Sequence, residues 1–75
     1  MLFRSVNTIQ TQLNAVSNSY PLIPKLKVDG IFGENTQKAV RIFQSIFNLS
    51  VDGIIGFETW YKISEIYVAV MKFSS

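Results

Sequence analysis

The chain is 75 residues long, 48% hydrophobic and mildly basic, with seven Lys and Arg against five Asp and Glu for a net charge of +2. That length holds one domain, expected to occupy residues 1–75. It contains neither cysteine nor histidine, so disulfides, thiolate or imidazole metal sites, and Ser-His-Asp or Cys-His nucleophile arrangements are all excluded.

The opening Met1-Leu2-Phe3-Arg4-Ser5 lacks the charged region and apolar stretch of a secretory signal. If the domain works outside the cell, either its export signal lies elsewhere or the chain is a piece of a longer protein. Val6, Ile9, Leu13 and Val16 then recur at helical spacing and predict a first amphipathic helix. Ser17-Asn18-Ser19-Tyr20-Pro21, with Pro24 beyond, predicts its end and the start of a loop. The longest uninterrupted apolar run, residues 66–71, is far short of the roughly 20 residues that span a bilayer.

A repeat organises the rest of the chain. Leu26-Lys27-Val28-Asp29-Gly30-Ile31-Phe32-Gly33-Glu34-Asn35-Thr36 returns 23 residues later as Leu49-Ser50-Val51-Asp52-Gly53-Ile54-Ile55-Gly56-Phe57-Glu58-Thr59. Asp-Gly predicts a turn, because aspartate accepts a nearby downstream backbone N–H and glycine tolerates positive φ. The second glycine, Gly33 or Gly56, is expected to let the chain bend into a helix. Thr36 and Thr59 should fall in the first turn of each helix, where a hydroxyl can satisfy an unpaired backbone group. Glu34 and Glu58 complement the macrodipole there.

Helical periodicity follows each loop. Thr36, Ala39, Val40, Phe43 and Phe47 share one face of the second helix. Trp60, Ile63, Tyr67, Val70 and Met71 share one face of the third. Phe32 is expected to pack under its loop. The fold class predicted is all-α: a compact three-helix bundle with two repeated Asp-Gly loops preceding helices two and three.

These residues together resemble the peptidoglycan-binding domain found at the ends of many wall hydrolases and spore-cortex enzymes. The resemblance runs through Val6-Asn7-Thr8-Ile9-Gln10-Thr11-Gln12-Leu13-Asn14 into Val28-Asp29-Gly30-Ile31-Phe32-Gly33, Thr36, Ala39-Val40 and Phe43-Gln44. It continues through Leu49-Ser50-Val51-Asp52-Gly53, Gly56 and Thr59-Trp60, covering about residues 5–66. Two departures stand out. Glu34 and Phe57 occupy first helical positions where the family commonly has proline. Phe47-Asn48-Leu49 replaces the usual glycine before the second loop, and asparagine is the next-best residue for a left-handed helix end. The resemblance implies a non-catalytic module that binds cell-wall peptidoglycan in the envelope or outside the cell. It also implies an attached catalytic or further wall-binding domain.

Two carboxylates could in principle act as acid and base on a glycosidic bond. Asp29 and Asp52, however, sit in matching turn contexts, and organising their own loops is the expected role of each. With Gly30, Gly33, Thr36, Gly53, Gly56 and Thr59 they form the structural loop motif. Calcium is not expected, since the loop lacks alternating oxygen ligands and a closing glutamate. No catalytic residue, metal or cofactor is assigned.

For ligand contact, Tyr61 lies about 100° from Trp60 around the third helix, at the edge of its buried stripe, where a ring could stack on a sugar. Tyr20, beside Pro21, is similarly placed in the long loop. The start of the second helix is the other candidate. Free helix N–H groups attract carboxylates such as those of peptidoglycan stem peptides. Gly33 and Asn35 bring backbone close, and Lys27 and Lys38 add positive charge, while Glu34 opposes it.

A helix-turn-helix reading would use Gln37, Lys38, Arg41 and Gln44 on the second helix. The third helix offers only Lys62 and Lys72, with Glu65 between, and the Asp-Gly loops have no role in that fold. A contact-module reading draws on Ile42, Ile46 and Val68 as an exposed apolar patch. The expectation is therefore a monomer that binds peptidoglycan, with no nucleic-acid or membrane partner.

Overall fold

In the computed structural model, which describes residues 5–73, Ser5 opens the first helix, α1 (Val6–Ser19). Its extended backbone lets the Ser5 hydroxyl accept from the Thr8 N–H at 3.3 Å, satisfying one of the donors left over at a helix start. Ile9, Leu13 and Val16 are fully buried, as their spacing requires. The adjacent row of α1 is polar and faces the loop after it. Asn14 accepts from the Leu26 N–H at 2.7 Å and donates to the Leu26 carbonyl at 2.8 Å. The Ser17 hydroxyl donates to the Ile23 carbonyl at 2.6 Å.

These side chains replace a sheet partner for an otherwise irregular segment and press Ile23 and Leu26 into the core. The helix ends at Tyr20, whose N–H donates to the Val16 carbonyl. The Lys25 ammonium reaches back to the Asn14 carbonyl at 3.1 Å and to Asn18 Oδ1, placing a cation near the negative end of the helix.

The second helix, α2 (Glu34–Ile46), buries Ala39, Val40 and Phe43 against α1 residues and Ile63 of the third, α3 (Phe57–Phe73). Among the helix pairs, α1 and α3 approach each other over the most extensive stretch of backbone. Among the described residues there are three helices and no strand, folded into a body of 31 × 25 × 24 Å. The predicted all-α bundle is the observed fold. The ends of the expected 1–75 domain, residues 1–4 and 74–75, lie outside the described residues.

At the end of α2, Asn48 adopts φ 61°. The Leu49 N–H donates to the Gln44 carbonyl at 2.8 Å and the Asn48 N–H to the Ser45 carbonyl at 3.3 Å. This is the paired closure of a helix C-terminus in which the turning residue is usually glycine. Asparagine is here the substitute that the sequence suggested.

Several packing expectations are corrected. Met71 is 53% exposed rather than core. Adjacent helical residues point about 100° apart, and Val70 takes the place against the core instead. Phe47, Trp60 and Tyr67 are half-buried around the core rather than within it. Ile42 and Ile46 also pack against the core, which leaves Val68 as the exposed member of the expected apolar patch. Positions three and four apart extend the buried stripe of α2 around to both isoleucines.

Candidate functional site

Each Asp-Gly loop is built around one glutamine amide from the helix before it. In the first loop Gln10 Oε1 accepts from the N–H groups of Asp29 and Gly30, both at 3.0 Å. Gln10 Nε2 faces Asp29 Oδ1 at 3.1 Å, the Ile31 carbonyl at 3.1 Å and Thr36 Oγ1 at 3.0 Å. In the second loop Gln44 Oε1 accepts from Asp52 and Gly53 at 3.1 and 3.0 Å. Gln44 Nε2 faces Asp52 Oδ1 at 3.0 Å, the Ile54 carbonyl at 3.1 Å and Thr59 Oγ1 at 3.0 Å. The two networks agree bond for bond to within 0.1 Å, although Gln10 is 19 residues from Asp29 and Gln44 only eight from Asp52.

Both glutamines are buried. Each amide offers two N–H groups and two acceptor lone pairs, and the loop engages all of them. A buried amide is tolerated only when satisfied in this way.

The aspartates organise their loops, as expected. Asp29 Oδ1 accepts from the Ile31 N–H at 2.9 Å, and Asp52 Oδ1 from the Ile54 N–H at 2.9 Å. Those N–H groups, followed by the glutamine amides, hold both carboxyls below the usual carboxylate range. Gly30 and Gly53 carry φ of 75° and 73°. A Cβ at Gly30 would come within 2.6 Å of Asn7 Oδ1, and one at Gly53 within 2.9 Å of Arg41 Nη1. The backbone conformation therefore favours glycine at both positions, while the space is taken only by the ends of the exposed Asn7 and Arg41 side chains, which can shift.

The second glycine and the threonine act differently from expectation. Gly33 caps α2 from an extended backbone at φ −94°, and a Cβ there would meet only Ile31 Cγ2, at 3.8 Å. A Cβ at Gly56 would meet nothing within 4 Å. Neither conformation nor crowding demands glycine at these two positions. Thr36 and Thr59 serve as acceptors for the glutamine amides instead of capping their helices, and Thr36 also donates to the Ile31 carbonyl at 3.4 Å. Thr36 and Thr59 do stand in the first turns of α2 and α3, as expected.

Of the expected ligand residues, Lys27, Gly33 and Asn35 come together. With Leu26, Asp29, Ile31, Glu34 and Thr36 they line a recess of about 190 Å³ where the first loop meets α2. Gly33 supplies no side-chain cap, so the first N–H groups of α2, beside this recess, are without one. Lys38 is exposed one turn further along α2 and is not among the lining residues. Tyr20 is half-buried, its ring edge-on to Phe47 with centroids 5.0 Å apart. Tyr61 is 57% exposed at the start of α3. The six residues thus divide among different parts of the surface. Phe32, expected beneath its loop, is 39% exposed. It lines an apolar groove of about 270 Å³ between the two loops, with Val6, Ile9, Ile54 and Ile55.

Sequence reasoning missed the glutamines as loop organisers. The available signal was a polar residue directly beside a core residue on a buried stripe, Ile9-Gln10 and Phe43-Gln44.

The chain matches the model of the peptidoglycan binding domain family over residues 4–63. A curated relative, the zinc D-Ala-D-Ala carboxypeptidase of Streptomyces albus G, is 45% identical over 42 residues. That alignment covers 56% of this chain and 16% of the relative, so the chain spans only a small part of that enzyme's length. No solved structure matches the chain significantly. The family match takes in both Asp-Gly loops and both glutamines that lock them, and the chain belongs to the peptidoglycan binding domain family.

Proposed function

We propose that this chain is a non-catalytic, monomeric module that binds bacterial peptidoglycan and holds an attached domain at the cell wall. Its place of action is the envelope or the cell exterior. The observation that carries this reading is the recess at the start of α2, lined by Lys27, Gly33 and Asn35. A stem-peptide carboxylate seated there would meet uncapped helix N–H groups, the asparagine amide and a lysine ammonium. Glu34 in the same turn weakens that attraction, which favours a modest affinity.

Two further observations support a binding rather than a hydrolytic role. Asp29 and Asp52 each commit an oxygen to their own loop, and neither is raised toward the pKa of a general acid. The curated relative is a carboxypeptidase many times longer than the matched segment. That proportion suits a binding module appended to a separate catalytic domain.

Amide chemical-shift mapping with solubilised muropeptides tests the site. Shifts are expected to concentrate at Lys27, Gly33, Asn35 and Thr36 and to weaken in Lys27→Glu. Shifts confined to other surfaces would relocate the site.

A further inference from the structure

We propose that Phe57 and Tyr61 form an aromatic platform on which a neutral sugar ring of the glycan strand stacks. This deepens the wall-binding reading and rests on it, but it assigns a second contact surface and a ligand class to that surface. Phe57 is 76% and Tyr61 57% exposed. Their rings stack on each other, at 20° between planes with centroids 6.0 Å apart, so a sugar would take an outer face of the pair. The two residues are one turn apart on α3, so their side chains share a face. The Trp60 ring lies 6.2 Å from Phe57, tilted by 47° and half-buried, and it backs the pair against the body of the domain.

Large aromatic rings are costly to leave in water, and with only two side-chain torsions each they lose little entropy on binding. The axial C–H groups of a pyranose carry partial positive charge and suit the negative face of an aromatic ring. The surroundings disfavour other occupants. Glu58 repels a stem-peptide carboxylate, and Lys62 is already paired with Glu65 at 3.1 Å. Two side chains of this type bury at most about 150–250 Å² each. A stable protein interface needs roughly 800 Å² per partner, so the pair is scaled to a ring and not to a second protein.

The probe is a soluble β-1,4-linked N-acetylglucosamine hexamer, titrated into the 75-residue chain and followed by Trp60 fluorescence. Saturable binding is expected, weakened about tenfold in F57L/Y61L, which keeps apolar bulk but removes both ring faces. Phe57→Tyr should retain binding, and melting temperatures should stay within a few degrees because both side chains are exposed. Hexamer binding unchanged in F57L/Y61L would overturn the platform. So would no hexamer binding by a parent chain that still sediments with wall sacculi, or selective capture of a free diamino stem peptide through these rings. Only the loss of sacculus binding altogether would count against the wall-binding reading itself.

Discussion

A single glutamine amide decides the shape of each loop, and the two glutamines should differ in worth. Gly53, whose N–H donates to Gln44, is buried, whereas Gly30, bonded to Gln10, is exposed. Removing Gln44 strands the buried Gly53 N–H and Thr59 hydroxyl, at about 1–3 kcal/mol for each group. Gln44→Ala should therefore cost on the order of 3 kcal/mol and Gln10→Ala less, read from urea denaturation midpoints. Equal, small losses would mean that the amides are incidental. The aspartates add a pH dependence whose sign follows from their lowered pKa. Their stabilisation is present above the ordinary carboxylate range and is lost as pH falls through that range toward the folded-state values. Asp29→Asn with Asp52→Asn should flatten the acid limb of a melting-temperature profile. At the glycines, Gly30→Val should cost about 1–2 kcal/mol in thermal melts, for its positive φ. Gly33→Ala should stay within about 0.5 kcal/mol. The Asp-Gly turns were legible because turn chemistry is local. The glutamine partners were not, because a repeat offset of 23 residues does not relate Gln10 to Gln44, which are 34 apart.

At the scale of elements, the apolar spacing located three helices because a 3.6-residue period leaves a direct trace in sequence. Competition between neighbours on one helix leaves no such trace. Val70 and Met71 are equally apolar, and only packing against α1 and the core selects between them. The stripe of α2 was likewise wider than its strongest members suggested, since Ile42 and Ile46 join it. The helix end at Asn48 offers a clean test of local strain. Its φ of 61° is unfavourable for any residue with a Cβ, and glycine has none. Asn48→Gly should raise stability by up to about 1 kcal/mol and Asn48→Val should lower it, measured by circular dichroism melts. A more stable valine variant would contradict the closure described for α2.

Across the whole molecule, the loops and helices present distinct surfaces rather than one cleft. Lys27, Gly33 and Asn35 meet because the first loop folds back over the start of α2. Sequence proximity made that recess partly legible. Tyr61 was assigned from its place at the edge of the α3 stripe and Tyr20 from its place beside Pro21, and local position does not distinguish a ring turned onto Phe47 from one stacked at the surface. The same folding removes one residue from the nucleic-acid alternative. Gln44 is enclosed by the second loop and cannot face a groove.

A shallow surface of this kind has few buried contacts to offset the cost of association, so a single copy should bind at about the micromolar level or weaker. A tandem fusion should bind more tightly through effective concentration. The most direct test is co-sedimentation of the purified chain with polymer-stripped sacculi at low and moderate salt, beside a mobility shift on duplex DNA. Sedimentation at both salts, with no soluble fragments released and no shift on DNA, is the predicted result. Failure to sediment in either buffer, together with a salt-sensitive shift on DNA, would contradict wall binding.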